Sequence, residues 1–372
     1  MTRIALVGCG YVADYYVGTL RAHPELKIAG VTDRIPERAS RFAAYYKLPV
    51  YPSLEAVLND ESVQIVVNLT NPQNHYAVSR ACLEAGKHVY SEKPLSTLFG
   101  EAEDLVKLAE RQRLYLASAP CGILSETAQS IAKALRQGRI GRPLLAYAEL
   151  DDGFLPRKRY RNWRSDSGSP WPWQDEFQVG CTLEHAGYYL SWLVAFFGPA
   201  ETVTAFSTSR LPEHQAPDFS VACIRFVSGA VARLTCSILA PKNHGFTIIG
   251  DTGILWTDEC WDYLRPIRIQ KYGLFYRVTE KYPSLRHFPL IGGRRYPLTK
   301  SGVNNRYRRT HGMDFARGIA ELAAAITEGR TCRLSPRFSL HVNELVLAIQ
   351  NSDEGGETYR VASTFDPSDL LN

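Results

Sequence analysis

A chain of 372 residues, 45% hydrophobic and 22% charged, carries enough apolar side chains for two separate cores and lacks the composition of a fibrous or disordered protein. The formal charge of +5 hides a segregation: five Lys/Arg and no acid fall in residues 157–164, eight and none in 281–313, and the remainder is net acidic. Two basic patches on an acidic body argue against a nucleic-acid surface and for an anionic small molecule, or else for solvated loops and subunit contacts.

The eight cysteines are scattered, with no C-x-x-C pair and no Cys/His cluster at metal-ligand spacing, so no metal is expected and the thiols read as reduced, in a cytoplasmic protein. The longest apolar stretch, at 188–197, falls short of the roughly 20 residues of a membrane helix, and no membrane partner is expected. Gly8 and Gly10 interrupt the apolar start, which reads as a strand and turn rather than a signal peptide.

Short apolar runs at 3–7, 27–32, 64–69, 88–90 and 114–117 alternate with segments of helical spacing. This rhythm predicts an α/β fold, a doubly wound parallel sheet covered by helices on both faces, with right-handed crossovers. After about Pro120 a helix over 125–137 closes on Gly138, and period-two runs follow at 144–150, 202–207, 220–226, 230–238 and 247–249. Ser228-Gly229 predicts a hairpin turn between two of them. Helical segments at 313–328, with Gly329 beyond, and at 340–351 are expected on this second sheet. Two domains are expected, 1–120 and an α+β domain at 121–372.

Gly8-Cys9-Gly10-Tyr11-Val12-Ala13 follows the first strand and opens a helix. Gly8 permits the tight turn, Gly10 lets the backbone approach a pyrophosphate at the helix N-terminus, and Ala13 is small enough for helix to pack on strand. Asp33 stands about 20 residues on, at the end of the second strand, where a carboxylate accepts hydrogen bonds from an adenosine ribose. The combination predicts a dinucleotide site of Rossmann type; Asp33 favours NAD, and Arg34 beside it leaves NADP open.

Gly86-Lys87-His88-Val89-Tyr90-Ser91-Glu92-Lys93-Pro94-Leu95 closes the strand at 88–90, where ligands of open α/β sheets collect. With the glycine turn, Thr70-Asn71-Pro72 and His75, Gly138-Arg139-Ile140-Gly141 and Gly187, this segment resembles the Gfo/Idh/MocA family of sugar and inositol dehydrogenases over nearly the whole chain. The resemblance implies a cofactor domain, a second domain with a large open sheet, and substrate between them. It implies a homo-oligomer, a dimer or tetramer, paired through that sheet. Cofactor contacts are then expected from Gly8, Gly10, Tyr11, Val12, Asp33, Arg34, Thr70, Asn71, Pro72, His75, Glu92 and Lys93, with Lys93 beside both substrate and nicotinamide.

Where the family usually has D-x-G-x-H, this chain has His185-Ala186-Gly187-Tyr188-Tyr189, and some members carry a tyrosine at the last place. Four residues apart, His185 and Tyr189 share a face of a regular helix, and both are expected at the substrate. Oxidation of a secondary alcohol needs an acceptor for the hydroxyl proton. Tyr189, helped by the Lys93 charge, and His185 are the candidates. Arg157, Arg161, Trp163 and Arg164 lie in an aromatic, basic loop that either stacks on and clamps an anionic sugar or pins an insertion to the domain. The second patch, with Arg294, Arg295, Lys300, Arg306, Arg308 and Arg309, offers similar groups. The function expected is an NAD(P)-dependent dehydrogenase or reductase of a sugar derivative such as a nucleotide-sugar or sugar phosphate. An NAD-retaining glycosidase of the same fold, or a non-catalytic cofactor sensor, are the alternatives.

Overall fold

The computed structural model describes residues 1–211, 216–288, 291–300, 312–352 and 355–370. β1 (Thr2–Val7), β2 (Leu26–Thr32), β3 (Ile65–Asn68), β4 (His88–Ser91) and β5 (Leu116–Ser118) form a parallel sheet in the order β2-β1-β3-β4-β5. Strand β1 shows why both faces are covered: Ile4 and Leu6 enter one apolar cluster, Ala5 and Val7 the other. The first cluster takes α1 (Tyr11–Leu20) and α2 (Pro36–Tyr46); the second takes α3 (Leu54–Leu58), α4 (His75–Glu84) and α5 (Phe99–Gln112).

Beyond Pro120 come α6 (Glu126–Arg136), β6 (Pro143–Asp151), α7 (Trp173–Val179), α8 (Gly187–Phe197), β7 (Ala200–Thr208), β8 (Phe219–Phe226) and β9 (Val231–Ser237). β10 (Phe246–Gly250), β11 (Gly253–Thr257), β12 (Ile267–Lys271), α9 (Leu274–Lys281), β13 (Arg294–Tyr296), α10 (Arg317–Glu328), α11 (Pro336–Gln350) and β14 (Thr358–Arg360) complete the chain. Nine strands join in the order β13-β12-β11-β10-β6-β9-β8-β7-β14, antiparallel except for the β6–β9 pair. Gly229, at φ +86°, turns the β8–β9 hairpin as its sequence predicts. The Ser125 hydroxyl accepts the Ala128 amide and caps α6 at the expected residue.

Two helices depart from expectation. Helix α11 begins at Pro336, earlier than 340, because the Ser335 side chain accepts the Phe338 amide and proline is at home in a first turn. Helix α10 packs on β4 and β5 of the first sheet rather than on the second. Gly318 makes that approach possible, since a Cβ there would lie 2.3 Å from the Tyr90 hydroxyl. Phe315 stacks on Tyr15 with ring centres 5.1 Å apart, and the Ala316 amide donates to Thr19 Oγ1. A buried chain of charge accompanies it: His23 Nε2 lies 2.9 Å from Asp314, which meets Arg317 at 3.2 Å, and Arg317 reaches Glu126 at 2.9 Å. Each charge has an opposite one beside it, as buried ions require.

Candidate active site

The first wall of the cleft is the turn between β1 and α1. Gly8 has φ +104°, and a Cβ on it would stand 2.4 Å from the Leu69 carbonyl, so no other residue fits. Gly10 is the N-cap of α1 and brings no side chain to the first helical amides of Tyr11 and Val12; a Cβ built on it meets nothing within 4 Å. Free amides on an open side, at the positive end of a helix, fit the diphosphate of a dinucleotide. Asp33 closes the turn from beside: its carboxylate accepts the Cys9 and Ile35 amides, both at 2.8 Å. Burial, with the charge of Asp33, pushes the Cys9 thiol up to about 12, which leaves it inert here. Arg34 is exposed next to Asp33.

Thr70, Asn71 and Pro72 leave β3 at the same edge, the Thr70 hydroxyl donating to Asn68 Oδ1 at 2.6 Å. His75 is enclosed and does not reach the cleft, contrary to its expected place among the cofactor contacts. Its ring lies between the Pro94 and Thr70 carbonyls, at 2.6 and 2.9 Å; burial lowers its pKa while the two carbonyls oppose that, and the neutral ring, with one N–H, donates to one of them at a time. Glu92 is also buried, holding the Tyr16 hydroxyl at 2.6 Å and the Lys93 amide at 3.0 Å. Both residues therefore shape the segment that presents Lys93.

The second wall is the start of α8. Residues Thr182–Ala186 form a π-turn, which carries one residue more per turn than an α-helix and shifts the face that follows. Lys93 Nζ makes an ion pair with Glu184 across the cleft. His185 and Tyr188 flank it, both partly exposed, and each feels the Lys93 and Glu184 charges. Burial lowers the His185 pKa, with Asp152 opposing and Lys93 assisting; burial raises that of Tyr188, with Lys93 opposing.

Tyr189 is not at the cleft, which corrects its expected catalytic and substrate-binding role. It is 0% exposed, stacks on Phe246 at 5.2 Å and donates its hydroxyl to the His244 carbonyl. The π-turn is the cause, because counting four residues from His185 assumes a regular helix. Glu184, Tyr188, Asp152, His244 and Trp261 are the cleft residues sequence reasoning did not assign. Trp261 stands 5.6 Å from the Tyr188 ring and 4.4 Å from that of His244. His244 Nδ1 lies 2.7 Å from Glu259. Burial would raise the Glu259 pKa, but the hydrogen bond and charge of His244, the Trp261 amide and Lys242 hold it at about 2. No spacing rule marks Glu184 or Tyr188 across the π-turn, and nothing local marks His244 or Trp261, which arrive from distant loops.

The basic loop after β6 crosses to the first wall. Ser167 donates from its amide and hydroxyl to the buried Asp14 of α1, at 2.7 and 2.9 Å, while Ser169 donates to the Cys9 carbonyl and receives Arg41. Its rings pack on one another, Trp163 on Trp171 at 5.2 Å and Tyr160 on Phe177 at 5.1 Å, so they pin the insertion. Arg161 lies over Trp173, Arg157 over Phe154, and the Arg164 guanidinium donates to the Arg161 and Trp163 carbonyls. The loop tip meets the glycine turn, not Lys93. Arg294, Arg295 and Lys300 are exposed, while Arg306, Arg308 and Arg309 lie outside the described residues.

Among the described residues no His/Cys/Asp/Glu group could hold a metal ion, and no helix is long and apolar enough to cross a membrane. The family profile described as "Oxidoreductase family, NAD-binding Rossmann fold" matches residues 2–119, and the GFO/IDH/MocA C-terminal domain matches 128–256. Trans-1,2-dihydrobenzene-1,2-diol dehydrogenase of Mus musculus is 24% identical over 262 residues, 70% of this chain and 75% of that one. The WlbA dehydrogenase of Bordetella pertussis, solved with NADH and UDP-GlcNAcA, superposes with a TM-score of 0.74 at 20% identity, covering 97% of this chain and 98% of that one. KijD10, a 3-ketoreductase of Actinomadura kijaniata solved with TDP-benzene and NADP, gives 0.71 at 21% identity, covering 95% and 98%. With both domain profiles matched in order and the dinucleotide turn intact, the chain belongs to the GFO/IDH/MocA family of NAD(P)-dependent oxidoreductases.

Proposed function

We propose that the chain exchanges hydride between a nicotinamide dinucleotide and a ring hydroxyl or ketone of a nucleotide-linked sugar. The observation that carries this reading is the convergence of Lys93, Glu184, His185 and Tyr188 beside the dinucleotide turn. The UDP- and TDP-bearing ligands of the two structural neighbours support the substrate class.

The nicotinamide supplies the hydride acceptor or donor. Gly8, Gly10, Tyr11, Val12 and Asp33 would hold its dinucleotide. Lys93 is an ammonium held in the cleft by its ion pair with Glu184. An ammonium beside the substrate oxygen stabilises the negative charge that develops as the C–H bond breaks or forms. His185, kept neutral at pH 7 by burial, accepts the hydroxyl proton in oxidation and returns it in reduction. Tyr188 stays a phenol and donates a hydrogen bond to the same oxygen.

The test is reduced-nicotinamide absorbance with NAD or NADP and a panel of nucleotide-sugars, sugar phosphates and neutral sugars. Lys93→Ala is expected to lose about 10³-fold in kcat/KM on the substrate found. Turnover within a few-fold of wild type would remove Lys93 from the chemistry. Silence across the panel, with cofactor binding shown by fluorescence, would overturn the substrate class.

A further inference from the structure

In the oxidation direction each turnover leaves one proton on His185, and that proton has to reach solvent. The ring is partly exposed toward the cleft, where substrate covers it, and its Nδ1 is shielded from solvent. Behind it two acceptors face each other. Glu259, a carboxylate at pH 7, accepts from His244 Nδ1 at 2.7 Å, so that nitrogen carries the ring hydrogen and Nε2 presents a lone pair. Nε2 is buried, has no hydrogen-bond partner among the described residues, and lies 4.0 Å from Asp152 Oδ1. A carboxylate oxygen and a lone pair share nothing at that distance; one proton between them makes a hydrogen bond.

The surroundings hold this pair in place. Trp261 stands 4.4 Å from the His244 ring and 5.9 Å from that of His185, the Tyr189 hydroxyl donates to the His244 carbonyl, and the Cys260 and Trp261 amides pin Glu259 at 3.0 Å. Asp152 acts on His185 more strongly than Lys93, Glu184 or His244 does. It also opens outward, with its side chain 21% exposed against 0% for His244. The other charged groups near the pair are Asp151, which burial and Glu149 push up to about 6 while His244 opposes, Lys158 on the Asp152 carbonyl, Lys242 beside Glu259, and Asp258, already paired with Arg265.

We propose that the Asp152–His244 pair is the proton exit of the cleft, receiving the proton that His185 takes from the substrate and handing it to solvent. The proposal rests on the dehydrogenase reading above, with His185 as base. The proton passes from a His185 ring nitrogen to an Asp152 oxygen, the new O–H donates to His244 Nε2 while it is held, and water on the exposed side of Asp152 removes it and restores the carboxylate. Reduction runs the same path inward. His244 and Glu259 are positioning residues: Glu259 fixes which nitrogen carries the lone pair, and that lone pair steadies the protonated Asp152.

The experiment first follows the histidines themselves, which needs no substrate. In the full chain with isotope-labelled histidine, nuclear magnetic resonance should show His244 as the Nδ1–H tautomer. Asp152→Asn removes the carboxylate that opposes the effect of burial on His185, and should lower the proton affinity of that ring about threefold. An unmoved His185 titration, or an Nε2–H tautomer at His244, overturns the proposal whatever the substrate is. On the substrate found in the sugar panel, Asp152→Asn and His244→Phe, which keeps a ring against Trp261, should each lower kcat about tenfold with KM within about twofold. The acid limb of kcat/KM should move to lower pH in Asp152→Asn. Added formate or imidazole should restore kcat in both variants, a response that a structural defect would not give. Loss without rescue, or kcat unchanged in Asp152→Asn, refutes the exit and leaves the dehydrogenase standing; full activity in His185→Asn removes the base on which both readings depend.

Discussion

The two walls of the cleft obey different rules. The glycine turn is a backbone object: Gly8, Gly10 and Asp33 sit where their spacing puts them, and a φ of +104° at Gly8, with the Leu69 carbonyl pressed against it, excludes a side chain there. The π-turn wall is not local, because one extra residue at Thr182–Ala186 re-aims every side chain that follows it. The comparison teaches that a motif anchored on a forced backbone conformation transfers from sequence to structure, whereas one counted along a helix transfers only if the helix is regular.

The sharpest way to break that comparison is to exchange the two adjacent phenols. Tyr188→Phe is expected to cost about 10²-fold in kcat/KM through loss of a donor to the reacting oxygen. Tyr189→Phe should leave turnover within a few-fold, yet lower stability by about 1 to 2 kcal/mol, since the buried His244 carbonyl loses its partner. Steady-state kinetics with thermal melts on both variants would separate the roles. The reverse pattern would return the catalytic phenol to Tyr189 and make the π-turn irrelevant.

The same contrast explains what could be read in advance. The five parallel strands were legible because apolar runs buried on both faces leave a continuous signal, and β6 to β10 because alternation marks a sheet with one open face. Strands β11 to β14 are short, and β13 and β14 have three residues each, too few for a period to show. The site of α10 was hidden for another reason: its amphipathic pattern says that it packs, and only Gly318 against Tyr90 and the Asp314–Arg317 chain say on which sheet. Lys93 was legible from its motif, whereas its partner Glu184 and the rings of Trp261 and His244 are tertiary facts.

Helix α11 backs both walls, touching α5 and β5 on one side and α8 with the π-turn on the other, and its His341 makes that joint sensitive to acid. The buried ring accepts the Ala200 amide at 2.9 Å, which requires a neutral Nε2, and burial lowers its pKa to about 4. A folded pKa below the unfolded value of about 6.5 contributes stability above that value and loses it as pH falls toward 4. Stability should therefore drop by about 2 kcal/mol between pH 7 and 5 from this residue. His341→Gln, whose amide oxygen can accept the same hydrogen bond without titrating, should flatten that part of the denaturation profile. If acid loosened one wall first, seen as cofactor loss with unchanged near-ultraviolet circular dichroism, the walls would not share this joint.

The smallest effect concerns the loop that carries second-domain residues to the first wall. Ser169 donates to the Cys9 carbonyl inside the glycine turn and receives Arg41, so the turn is held by a contact that its own motif does not contain. Removing one such hydrogen bond from an ordered turn costs about 1 kcal/mol. Ser169→Ala is accordingly expected to raise the dinucleotide Kd about fivefold in a fluorescence titration, with kcat unaltered once cofactor saturates. An unchanged Kd would mean that Gly8, Gly10 and Asp33 organise the turn alone, and the backbone character of the first wall would then be complete; a raised Kd shows that this wall, too, depends on a tertiary contact.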